Sequence, residues 1–118
     1  MDLNVKVGDV CVGYFGYSMS IYDFFRVTKI TDKSISFEKL KKSALVGSDC
    51  FRPKVVPTYT FENGNIRFYP DTRTEKFSRR LSTIHYNCVN GTSRFESITL
   101  EPMPLEKLRT GYQEDHLD

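Results

Sequence analysis

Along much of this chain apolar and polar residues alternate with a period of two, and many of the apolar positions are β-branched or aromatic. That pattern predicts strands, since successive side chains of a strand point to opposite faces. Val10, Val12 and Tyr14 share one face of a first strand, entered through a turn at Gly8-Asp9. The second strand, residues 21–30, is apolar on both sides. Tyr22, Phe24 and Ile30 fall on one face with Arg26 and Thr28; Phe25 and Val27 fall on the other with Asp23 and Lys29. Such a strand is either covered twice or bent by a bulge. After a turn at Thr31-Asp32-Lys33, residues 34–40 return with Ile35 and Phe37 on one face, which closes a hairpin. This stretch is the organising element of the chain.

Residues 41–58 are irregular, broken by Gly47, Pro53 and Pro57. They read either as a functional loop or as a ragged strand around residues 51–56. Asn63-Gly64 between alternating residues is a strong hairpin signal. Residues 74–81 fit a short helix through Phe77 and Leu81, or a strand through Phe77, Arg79 and Leu81; the neighbouring strands favour the second. A third hairpin is expected from residues 84–89 and 93–100 about Asn90-Gly91. Pro102 and Pro104 end the sheet, and residues 105–109 fit one helical turn. The elements together predict a mostly β fold, a small SH3-like or OB-like antiparallel barrel with at most one or two short helical turns. Residues 1–110 form its single domain, and residues 111–118 an acidic, flexible tail.

Composition changes little in that picture. A chain of 118 residues with 39% hydrophobic residues can bury a core without metal or disulfide. It has no apolar run near the ~20 residues of a membrane span and no secretory signal at its start. Cys11, Cys50 and Cys88 are odd in number and widely spaced, which predicts reduced thiols in a cytoplasmic protein. Charge is more informative. The net charge of +2 hides a segregation: residues 26–80 hold thirteen Lys/Arg against six Asp/Glu, and the flanks hold four against nine. A basic middle suits a polyanion or an acidic partner surface.

Catalytic chemistry has little to draw on. His85 and His116 lack ligand-spaced partners for a metal. Cys88 and His85 are expected on opposite faces of one strand, too far apart for a nucleophile and its base. No phosphate-binding glycine loop occurs. The reading is therefore a non-enzyme without cofactor or metal. Binding has better candidates: Phe15, Tyr17, Met19 and Tyr22 in or beside the first loop, with Arg26, Lys29, Lys39, Lys41, Lys42, Arg52 and Lys54 following. Aromatic platforms beside basic side chains stack single-stranded nucleic acid, and Tyr with Arg also anchors protein interfaces.

Phe15-Gly16-Tyr17 and Tyr22-Asp23-Phe24-Phe25-Arg26-Val27 resemble a motif of small proteins from phages and other bacterial mobile elements. That motif runs Trp-Gly-Tyr-acid-Gln-Thr-Asn-Val-Asp-Phe-Tyr-Gln-Val. Here Phe15 stands for the tryptophan, and Ser18-Met19-Ser20-Ile21 replaces the acid-Gln-Thr-Asn run. The resemblance implies an accessory protein acting in the bacterial cytoplasm. It would bind a host protein or nucleoprotein complex and inhibit host defence of the CRISPR or restriction type. The alternative is a barrel that binds single-stranded nucleic acid directly.

Overall fold

Phe24 and Phe25 are neighbours in sequence, and both are fully buried, each in a different hydrophobic cluster. They belong to the second strand, and the fold is arranged so that both of its faces are covered. In the computed structural model, which describes residues 3–73 and 76–117, the strands are β1 (Val10–Phe15), β2 (Ile21–Ile30), β3 (Ser34–Lys39), β4 (Lys42–Ala44), β5 (Lys54–Pro57), β6 (Tyr59–Glu62) and β7 (Asn65–Phe68). β8 (Phe77–Arg80), a 3-10 turn (Leu81–Thr83), β9 (Cys88–Asn90), β10 (Glu96–Thr99), the single-turn helix α1 (Lys107–Thr110) and β11 (Tyr112–Gln113) complete the elements of the described residues.

Six strands form an antiparallel sheet in the order β8-β3-β2-β1-β10-β9. The sheet curls into a nearly closed barrel. Arg79 of β8 donates from Nη2 to the carbonyl of Gly91, just beyond β9, at 2.9 Å. Inside lie Cys11, Phe25, Val27, Ile35, Phe37, Val89, Ile98 and Leu100, with Phe77 edge-on to Phe25. The other face of β1 and β2 is covered by a second layer, the three-stranded sheet β11-β5-β4, the hairpin β6-β7 and α1. There Val10, Phe24, Leu40, Val55, Met103 and Leu108 form a second cluster, flanked by Tyr22 and Tyr112. Each fully buried phenylalanine contributes roughly 1.5–3 kcal/mol, so one strand supports two cores.

β2 is also bulged. Its register with β3 shifts between Val27 and Lys29, and one extra residue reverses the alternation beyond it. Ile30, which strict alternation puts with Tyr22 and Phe24, therefore packs against the inner cluster with Phe25.

The hairpin at Asn63-Gly64 forms as its sequence predicts, with φ of 52° and 79°. Phe77–Arg80 is a strand paired with β3; residues 74 and 75 of that ambiguous stretch lie outside the described residues. The irregular 41–58 segment resolves into β4, a loop over residues 45–53 and β5.

Three expectations are corrected. Residues 84–87 are not strand. Tyr86 and Asn87 adopt left-handed φ of 52° and 59°, and His85 and Cys88 are bridge partners across that tight turn. Asn90-Gly91 is not the hairpin turn either: β9 and β10 are joined by the longer loop 91–95. Gly91 is there for space. A Cβ on it would lie 2.5 Å from Oε2 of the buried Glu96. Residues 111–117 also depart from the flexible tail that the composition of 111–118 predicts; residue 118 lies outside the described residues. Tyr112 and Gln113 pair with β5, Asp115 bridges to Ser20, and Glu114 is 2% exposed.

Gly91→Ala should destabilise the protein by about 1–3 kcal/mol, an overpacking cost. The loss should vanish when the same change is made in a Glu96→Ala background, because the clash is pairwise. Urea unfolding of the four proteins in this cycle measures it; additive losses would show that Gly91 is needed for another reason.

Candidate functional site

Two loops meet at one end of the barrel. The β1–β2 loop, residues 16–20, contains Ser18 at φ 59° and is held at its base by paired backbone hydrogen bonds between Ser20 and Asp115, each 2.9 Å. Loop 91–95 is closed by Gly91 N–H to the Glu96 carbonyl (2.9 Å) and Glu96 N–H to the Ser93 carbonyl (3.1 Å). Between them Tyr17 and Phe95 stack with centroids 4.7 Å apart and planes 11° apart. Phe15 meets Phe95 edge-on at 5.9 Å, and the Arg94 guanidinium sits 5.4 Å from the Phe95 centroid. Tyr17 is 64% exposed and Phe95 46%. An exposed parallel stack under a guanidinium offers apolar area, ring faces and charge at one place.

Beneath the patch lies a carboxyl pair. Phe15 faces Glu96 across β1 and β10, and Gly13 faces Asp23 across β1 and β2. Glu96 is 3% exposed and its Oε1 has no hydrogen-bond partner when ionised. Gly13 makes room for it: a Cβ there would stand 2.7 Å from the Phe25 ring and 3.2 Å from that Oε1. Both carboxylates only accept when charged, so a hydrogen bond between them requires one proton. Burial, then the hydrogen bond and charge of Asp23, push Glu96 up to about 7, with Lys39 offsetting in part. Burial opposes ionisation of Asp23 as well. The hydrogen bond from Glu96 and the ammonium groups of Lys42 and Lys39 outweigh it and hold Asp23 below the usual carboxylate range. The directions of the two shifts thus favour Glu96 as the protonated partner of the pair.

The basic side chains singled out by sequence divide into engaged and free. Arg26 binds the Glu38 carboxylate, with Nε 2.7 Å from Oε1. Lys39 lies 3.6 Å from Asp23. Lys42 Nζ donates to the Tyr22 carbonyl (2.8 Å), to Asp23 (3.3 Å) and to Glu114 (2.9 Å). Glu114 also accepts from Tyr22 N–H and lies 2.8 Å from Nε2 of His116. Lys42, itself exposed, is thus a structural tie between β2, β4 and the end of the chain, and it answers the charge of the buried Glu114. Lys29 and Lys41 are exposed and, among the described residues, have no ion pair. Lys41 joins Lys39, Lys42 and Arg73 around a cavity of about 570 Å³ whose wall also carries Asp23 and Asp71. Arg52 and Lys54 line a different cavity of about 620 Å³. Met19 is half-buried, and Tyr22 lies within the second layer between Tyr14 and Tyr112.

The structure thus brings Phe15 and Tyr17 together but sends the lysines elsewhere. It adds Phe95, Arg94, Glu96 and Asp23. The signal for Phe95 was a large aromatic directly after the turn-forming run Asn90-Gly91-Thr92-Ser93-Arg94, where a ring has little core to enter. Glu96 was readable only as one more strand residue. His85 and Cys88, expected apart, both line a cavity of about 450 Å³. Cys88 Sγ lies 3.9 Å from Thr99 Oγ1, with no hydrogen bond joining it to the imidazole. Burial pushes the Cys11 thiol up to about 12, so it is a core residue and no nucleophile at neutral pH. Among the described residues no group of three His, Cys, Asp or Glu is placed to hold a metal ion, and no helix is long and apolar enough to cross a membrane.

Comparison of the chain with family models, curated proteins and solved structures finds no match. The resemblance at residues 15–27 rests on its motif.

A carboxyl raised from 4.5 to about 7 by folding makes the folded state bind its proton more tightly. Glu96 therefore costs stability increasingly as pH rises from about 4.5 to about 7. Asp23 acts in the opposite sense, stabilising above its unfolded value of 3.8 and less as pH falls. Glu96→Gln keeps a donor toward Asp23 and removes the titration. Relative to the wild type its stability should rise by about 2 kcal/mol between pH 5 and 8. Chemical unfolding at the two pH values reads this; an unchanged difference would mean that Glu96 titrates as an ordinary carboxyl.

Proposed function

We propose that this chain is a non-catalytic interaction protein that docks a protein partner through Phe15, Tyr17, Arg94 and Phe95. The observation that carries the reading is the Tyr17–Phe95 stack, two large rings left in solvent at the meeting of two hydrogen-bonded loops. Exposed apolar clusters are costly unless something covers them, and Tyr, Phe and Arg are the residues that anchor interfaces. The loops are tied before any partner arrives, which lowers the ordering cost of binding. The motif at residues 15–27 supplies the partner class. The protein belongs to a phage or other mobile element, works in the bacterial cytoplasm, and occupies a host protein or nucleoprotein complex of a defence system.

Direct binding of single-stranded nucleic acid is the second reading. The parallel stack favours it, since a base can extend the outer face of Tyr17. Protein docking is preferred because Arg26, Lys39 and Lys42 are already bound to carboxylates and have less charge to offer a phosphate backbone.

Capture from a bacterial lysate, followed by affinity measurement with the recovered partner, tests the reading. Tyr17→Ala or Phe95→Ala should each cost about 2 kcal/mol, roughly thirtyfold in Kd, with unchanged thermal melts. A partner held equally well by both variants would place the interface elsewhere. Binding of an oligonucleotide that falls steeply with salt and requires Tyr17 would replace the first reading with the second.

A further inference from the structure

A cavity of about 620 Å³ lies beneath the loop over residues 45–53, walled by β5 on one side and α1 on the other. It shares no lining residue with the aromatic patch. Lys54 comes from β5 and Arg109 from α1, and among the described residues neither has a carboxylate within ion-pair distance. Two unpaired cations thus converge on one concavity, whereas Arg26, Lys39, Lys42 and Arg67 meet acids.

The other wall groups add to the positive field. Arg52 touches Asp115 only at 3.8 Å, with both side chains exposed, a contact of little net worth that leaves the guanidinium available. Asp49 is the single acid on the wall among the described residues. Its Oδ1 accepts from the backbone N–H of Phe51 (2.7 Å) and of Arg52 (3.3 Å), so its charge serves the loop's own turn. Thr110 has a hydroxyl held only at 3.5 Å by the Glu106 carbonyl, free to donate into the cavity.

The walls are fixed in advance. Gly111 adopts φ 70°, and a Cβ on it would lie 3.2 Å from both Lys54 Cβ and the Val55 carbonyl oxygen. Glycine there lets the end of α1 close onto β5 and sets Arg109 across from Lys54. The loop is pinned by Leu45 N–H to the Lys54 carbonyl (2.8 Å), Glu114 N–H to the Pro53 carbonyl (2.8 Å) and His116 N–H to the Phe51 carbonyl (2.9 Å).

The geometry points to a binding site for a small molecule carrying a phosphate or diphosphate group, held by Lys54, Arg109 and Arg52 with Thr110 donating. Guanidinium forks match phosphate oxygens, and lysine adds a compact charge. The volume is that of a single small ligand. The site stands apart from the proposed docking patch and does not depend on it.

Titration of the isotope-labelled protein with inorganic pyrophosphate, followed by backbone amide NMR, tests this. The account requires saturable shifts at Lys54, Arg109 and Thr110 that potassium chloride of equal ionic strength does not produce. Lys54→Met and Arg109→Gln should each weaken binding about tenfold, while Lys29→Met, an unpaired lysine remote in sequence, should not. Amide spectra of the free variants establish that each is folded. Absence of saturable shifts, or wild-type affinity in both site variants, would overturn the assignment. So would displacement of pyrophosphate by an oligonucleotide lacking terminal phosphates, which would make the cavity a reader of polymer backbone.

Discussion

Burial of β2 on both faces is the constraint on which the rest of this structure depends. Phe25 and Val27 commit one face to the barrel interior, and Phe24 commits the other to the second layer. A strand so placed has both faces covered along its middle, with Lys29 exposed near its end. The chain after β3 must therefore return over the barrel as β4, β5, β11 and α1 to cover Phe24. The segment that sequence composition marks as an acidic tail is part of this cover. Its Glu114 reaches into the layer boundary, where Tyr22 N–H and Lys42 neutralise it. Without Lys42 the buried Glu114 carboxylate would have only Tyr22 N–H and His116 beside it.

The apolar part of β2 stops at Asp23, and that end of the barrel is where the fold becomes polar. Asp23 and Glu96 occupy inward positions that Phe25 and Ile98 occupy one step further along their strands. Glycine at positions 13 and 91 makes the space for the Glu96 carboxyl. Above this pair, Glu96 buried and Asp23 half-buried, the two loops emerge, and their aromatic residues find each other. Core, carboxyl pair and patch are thus successive levels of one end of the barrel. The patch is held in place from below by β10 and from the side by the Ser20–Asp115 pairing.

Sequence periodicity read the strands well because alternation is a local property. The hairpins at Thr31-Asp32-Lys33 and Asn63-Gly64 and the two-faced character of β2 were all legible from it. Failures came where local rules had more than one physical cause. Asn90-Gly91 carries a hairpin signature, yet Gly91 is required by a neighbouring side chain, and the left-handed turn falls on Tyr86-Asn87, which carries a weaker signal. Ile30 changed faces because a bulge is invisible to alternation. The candidate site was half legible. Tyr17 was found from its setting between Gly16 and Ser18. Phe95, some eighty residues away in sequence, needed the pairing of β1 with β10 to bring it to Tyr17. The lysines of the basic run looked available because sequence does not show which carboxylate each one meets in space.

The central claim is that the aromatic patch is built into the free protein rather than formed by a partner. Contacts between the ring protons of Tyr17 and Phe95, measured by NMR on the unbound protein in solution, test it most directly. The account predicts strong inter-ring nuclear Overhauser effects and a Tyr17 ring shifted by the face of Phe95. A Tyr17 ring with no such contacts, resonating as a freely rotating tyrosine, would contradict it.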